Sequence, residues 1–153
     1  YNAGYKVMYN GYHYDTGCID FPKEKWQEVQ DRRIKENRYF AYIKDKDLNK
    51  YVGYVNYQYD KDEDIYDWGI LIEDKYRGKG YSKPALKLLI KEANKNNIKY
   101  LYDTFEKSRE KALKLFLDVG FEIYEKTTAN KFNKEVEGVI IRIDTNKITN
   151  NTD

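Results

Sequence analysis

The stretch that most constrains this chain runs Asp67-Trp68-Gly69-Ile70-Leu71-Ile72-Glu73-Asp74-Lys75-Tyr76-Arg77-Gly78-Lys79-Gly80-Tyr81-Ser82 and continues as Lys83-Pro84-Ala85-Leu86-Lys87-Leu88-Leu89-Ile90. It reads as an apolar strand, a short charged turn, a glycine loop and an amphipathic helix. A strand that feeds a helix through Arg-Gly-Lys-Gly gathers free backbone N–H groups, a positive helix end and two cationic side chains at one point. That combination is an anion site, and phosphate is the anion it suits best.

The rest of the composition narrows the ligand. At 153 residues the chain has the length of one ordinary domain with a real core. No apolar run approaches the ~20 residues that a membrane-spanning helix needs, so no membrane is expected. Basic and acidic residues nearly balance, 28 against 26, and are interleaved. A nucleic-acid binder concentrates basic residues on one element, so nucleic acid is not the expected partner. The single cysteine, Cys18, excludes an internal disulfide and fits a reducing, cytoplasmic setting. The seventeen tyrosines fall largely in strand-like alternation, where a half-buried amphipathic ring fits.

The order of elements follows from periodicity. Residues 1–19 are rich in Tyr, Gly and Asn without a clean period. Asp20 and Pro22 mark a helix start, with Trp26 as a core anchor and an end near Lys35. Arg38–Lys44, Tyr51–Asp60 and Ile65–Glu73 read as a three-stranded antiparallel meander with charged turns. Beyond the glycine loop, Leu86, Leu89, Ile90 and Ala93 form one helical stripe. Ile98–Phe105 is a strand expected to lie parallel to the one before the loop. Ser108 is expected to cap a second helix carrying Ala112, Leu115, Phe116 and Val119 on one face, with Gly120 as its stop. Phe121–Lys126 and Val136–Asp144 are closing strands, and 145–153 reads as a frayed polar tail. Residues 1–153 thus read as one mixed α/β domain.

Two phosphate motifs fail on residues. A P-loop requires Gly, four residues, then Gly-Lys-Ser/Thr, and no such run surrounds Gly78 or Gly80; a dinucleotide fingerprint requires a third glycine where Lys83 stands. What fits is R-x-x-G-x-G/A opening a helix after a strand, here Arg77-Gly78-Lys79-Gly80-Tyr81-Ser82. This resembles the acyl-CoA pyrophosphate loop of the GNAT superfamily of N-acetyltransferases. The resemblance extends over about residues 38 to 126, through helix, strand, helix and the closing Val119-Gly120-Phe121. It implies a GNAT-like, mostly antiparallel α+β sheet splayed at the cofactor site and flanked by helices. It also implies acetyl-CoA as co-substrate without a metal, the diphosphate on Arg77–Ser82, and the pantetheine arm on the backbone of Ile70, Leu71 and Ile72. A homodimer through the last strands would accord with the superfamily.

Three positions depart from the family pattern. Ser82 replaces the last Gly or Ala of the loop. Arg109 stands where an Asn is frequent at the start of the second helix, and Phe116 where a Tyr is proposed to protonate the departing thiolate. Phe116 cannot donate a proton, so either another group does so or the thiolate leaves with help from water; for a thiol with pKa ~8.5 acid help is not essential. The implied reaction is direct attack of an amine on the thioester in a ternary complex. An alkyl ammonium must first lose a proton, so a base or proton wire is required. Asp67 is the candidate base, with Asp64, Asp103, Glu106 and the lone His13 as rivals and Cys18 as an acyl-carrying nucleophile behind them. The acceptor, a small-molecule amine or a protein N-terminus, is expected against residues 1–35 and the final hairpin. Two other readings stay open on sequence: an acyl-CoA-binding module without catalysis, and a peptide- or RNA-binding domain using its tyrosine-rich surface.

Overall fold

A computed structural model of the chain describes residues 12–13, 18–19, 24, 26–35, 38–131 and 134–147. The expected helix start at Asp20 and Pro22, the side chain of Trp26 and most of the tyrosine-rich opening lie outside the described residues. The backbone of β1 (Tyr12–His13) pairs antiparallel with β2 (Cys18–Ile19), and helix α1 spans Trp26–Lys35.

Six strands form the main sheet: β3 (Tyr39–Asp45), β4 (Lys50–Asp60), β5 (Ile65–Ile72), β6 (Tyr100–Glu106), β7 (Glu122–Lys131) and β8 (Lys134–Asp144). Their spatial order is β3-β4-β5-β6-β8-β7, antiparallel throughout except for β5 against β6. The expected meander is therefore present, with each strand within two residues of its sequence bounds. Its tight turns are made by residues that tolerate positive φ, Asn49 at 52° and Asp64 at 56°. Gly53 on β4 allows an unusually close approach to β5: a Cβ there would lie 2.1 Å from the Leu71 carbonyl oxygen.

Helix α2 (Ser82–Lys95) buries Ala85, Leu86, Leu89, Ile90 and Ala93, the stripe that its periodicity predicts. Each fully buried Leu or Ile contributes about 1.5–3 kcal/mol of hydrophobic stabilisation. Helix α3 (Glu110–Val119) presents Phe116 and Val119 to the same core, which Leu101, Phe105, Phe121, Val139, Ile141 and Ile143 complete. Gly120, at φ 128°, ends α3, and its N–H bonds back to Phe116 and Leu117.

Two local expectations are corrected. Ser108 does not cap α3: Arg109 occupies the N-cap position, and the Ser108 hydroxyl donates to Glu106 at 2.6 Å. The hydroxyl bonds a nearby side chain, an alternative open to any short polar residue, and no side chain caps the helix. The tail also does not fray at Thr145. That residue is fully buried; its hydroxyl donates to the Ile98 carbonyl at 2.6 Å and its N–H to the Lys99 carbonyl at 2.9 Å. Asn94, near the end of α2, donates to both Thr145 and Asn146. A polar residue becomes core here because its hydroxyl and its N–H are both hydrogen-bonded.

Candidate active site

The site begins with a difference between the two edges of β5. On the β4 side, eight consecutive residue pairs are in register, from Gly53↔Ile72 to Asp60↔Ile65. On the β6 side there is one pair, Asp67↔Tyr102. Past that pair the two parallel strands are no longer in register, so among the described residues the β5 backbone from Trp68 to Ile72 has no strand partner on that side. Such an edge is a template for an extended ligand.

The opening leads into a cleft of ≈ 1010 Å³. Ile70, Leu71 and Ile72 line it from β5, all of Arg77–Ser82 from the loop, and Arg109 and Phe116 from α3. Every residue expected to contact the cofactor thus faces one cavity. Gly78 and Gly80 take φ of 73° and 84°, and a Cβ at either would meet no heavy atom within 4 Å. The loop needs glycine for its backbone conformation, then, and not for space. The first helical bond of α2 is Ala85 N–H to the Tyr81 carbonyl at 3.2 Å. The N–H groups of Ser82 and Lys83 precede it, and the helix dipole adds positive potential there.

Arg77 does more than supply rim charge. Its Nε–H donates to the Ile72 carbonyl at 3.0 Å, which ties the loop to the end of β5. Phe116 is buried and forms the floor, edge-on to Trp68 at 5.0 Å and to Phe105 at 5.3 Å between ring centroids. The Trp68 indole N–H is buried and has no acceptor among the described residues. The Arg109 guanidinium lies 4.9 Å from the centre of the Phe105 ring, a cation–π contact.

The carboxylates separate by location. Asp103 lines the cofactor cleft from β6; Asp67 lines the neighbouring cleft with Tyr66 and Asp60. Burial pushes the Asp103 carboxyl up to about 7; the charge of Asp67 adds to the shift, while the Thr104 backbone hydrogen bond and Arg109 oppose it. Burial also raises Asp67, with Asp60 and Glu63 adding repulsion. Of the other candidates, Glu106 lines the cofactor cleft, and Asp64 accepts from the Tyr59 hydroxyl at 2.5 Å. His13 and Cys18 are backbone partners of each other in the β1–β2 pair.

Sequence reasoning missed several cleft residues. Tyr54 and Asn56 reach it from β4, and Lys83 and Lys111 from the two helices. A signal for Asn56 existed in Gly69, a glycine inside a strand: a Cβ on Gly69 would sit 2.8 Å from the Asn56 carboxamide oxygen.

Fold and cleft define a class: a mixed α/β domain whose sheet opens beside a glycine loop that precedes a helix. Within that class the chain belongs to the acetyltransferase (GNAT) family, whose model matches residues 7–121, and it is thereby an acetyl-CoA-dependent N-acetyltransferase. Solved structures agree on the fold. A spermidine N-acetyltransferase from Vibrio cholerae in complex with CoA and spermine superposes with a TM-score of 0.72 at 15% identity, covering 85% of this chain and 80% of its own. A ribosomal-protein-alanine N-acetyltransferase from Brucella melitensis gives 0.69 at 17% identity, covering 81% and 79%. A putative acetyltransferase from Acinetobacter baylyi gives 0.68 at 15% identity, covering 82% and 74%. Among curated protein sequences none matches.

Proposed function

We propose that the chain moves an acetyl group from acetyl-CoA to a primary amine by direct attack in a ternary complex. The observation that carries this reading is the one-sided opening of β5 beside the Arg77–Ser82 loop. The diphosphate would lie on the N–H groups of the loop and of Ser82 and Lys83. The pantetheine arm would extend along Ile70–Ile72, adding itself to the unpaired edge. The thioester would then arrive above Phe116, near Asp103.

The acceptor's proton goes to the carboxylate pair Asp67 and Asp103, with Asp103 the member that lines the cofactor cleft. A base whose pKa lies near 7 is well matched to neutral operation, because a substantial fraction is ionised while it remains basic enough to take a proton. The apolar floor at Phe116 supplies no proton, so sulfur departs as thiolate. The related folds include enzymes named for spermidine and for a ribosomal-protein alanine, both of which present primary amines. That supports an amine acceptor and leaves its size to the residues around the cleft mouth.

Titration calorimetry with acetyl-CoA tests the cofactor half: binding is expected at sub-millimolar ligand, and its absence would overturn the reading. A panel of polyamines, small amines and peptide N-termini, assayed for free-thiol release, tests the chemical half. Binding without turnover on any acceptor would reduce the chain to an acyl-CoA-binding module.

A further inference from the structure

We propose that Asp45, 36 residues before Tyr81, is a positioning residue for the cofactor, acting through Tyr81 at the end of the glycine loop. The inference rests on the cofactor reading above and adds a residue to it. The Tyr81 hydroxyl donates to Asp45 Oδ2 at 2.5 Å, a charge-assisted bond between the end of the loop and the β3–β4 turn. Asp45 is itself fixed: its Oδ1 accepts from the Asp47 N–H at 2.9 Å and the Leu48 N–H at 3.0 Å. The Tyr81 ring also stands edge-on to Tyr76 at 6.4 Å.

The need for such a tether comes from the loop. The space beside Gly78 and Gly80 where side chains would sit is empty, so packing does not hold these residues there. Two side-chain bonds flank them: Arg77 to the Ile72 carbonyl ahead, and Tyr81 to Asp45 behind. A loop anchored at both ends presents its N–H groups in one arrangement, so less ordering remains to be done when a diphosphate binds. A carboxylate close to an anion site would otherwise be a liability, and here its charge is directed into a phenol and two backbone N–H groups.

Two readouts test this in the full chain. In Tyr81→Phe and in Asp45→Asn, hydrogen exchange of the amides of 78–83 is expected to quicken about tenfold while the α2 core keeps its protection. KM for acetyl-CoA should rise by a similar factor, with kcat and the acceptor KM within about twofold, and the double variant should be no worse than the single ones. Unchanged loop exchange in both variants would overturn the inference, as would faster exchange with an unchanged KM for acetyl-CoA. The exchange readout needs no cofactor, so failure of the wild-type chain to bind acetyl-CoA strikes the cofactor reading separately.

Discussion

The two edges of β5 have opposite fates. Toward β4 the strand is closed by eight registered pairs, and Gly53 removes even a methyl group from the contact. Toward β6 it is bonded at Asp67 alone. The same run of residues is thus a closed strand on one side and an open edge on the other, among the described residues. On the proposed function, stability and ligand binding rest on different edges of one backbone, so they should be separable by mutation.

The largest expected effect comes from damaging the closed edge. Gly53→Val would drive Cβ into the Leu71 carbonyl, a backbone atom that cannot move aside. A loss of more than about 4 kcal/mol is expected, seen as failure to give a cooperative thermal transition by circular dichroism. At the open edge, Asp103→Asn should lower kcat/KM by about 10²–10⁴ while leaving acetyl-CoA binding within a few-fold. A small change in kcat/KM would remove Asp103 from the base role and return it to Asp67.

Smaller effects sharpen the contrast. Gly80→Ala places a side chain at φ 84° without a clash, so strain of about 1–2 kcal/mol is expected. Acetyl-CoA affinity should fall by about tenfold, and calorimetry beside a thermal melt would show whether both losses occur. Titration gives the smallest signal. Asp103 holds its proton up to about 7 in the folded chain, against an ordinary carboxylate value of 3.8. Between those values the folded state binds more protons than the unfolded one, so this group's contribution to stability falls as pH rises through the window. Activity should run the other way, rising toward pH 7 as the base ionises. In Asp103→Asn both trends should flatten, and the variant should be more stable than wild type near pH 8 by on the order of 1 kcal/mol.

Elements with one dominant period were legible in the sequence. The α2 stripe and the three-strand meander required only residue spacing. The residues expected on the cofactor, Ile70–Ile72 and Arg77–Ser82, line one cleft for the same reason: they are nearly contiguous, so local chain geometry brings them together. Ser108 and Thr145 were misread because each turns on where one hydroxyl finds its partners, the Glu106 carboxylate in one case and the Ile98 carbonyl with Asn94 in the other. Polar side chains can bond in several ways, and only the fold selects among them.

By itself the sequence determined the strand, the glycine loop and the helix that follows it, because these depend on backbone freedom and hydrophobic spacing over a few residues. The tertiary structure alone decided that β5 and β6 part after Asp67 and that Asp103 lies inside the cleft under the field of Asp67. It also decided that Asp45 holds Tyr81 from another turn. The physical reason is range. Conformational preference is written residue by residue, whereas burial, repulsion and tethering depend on which distant residues share one small volume.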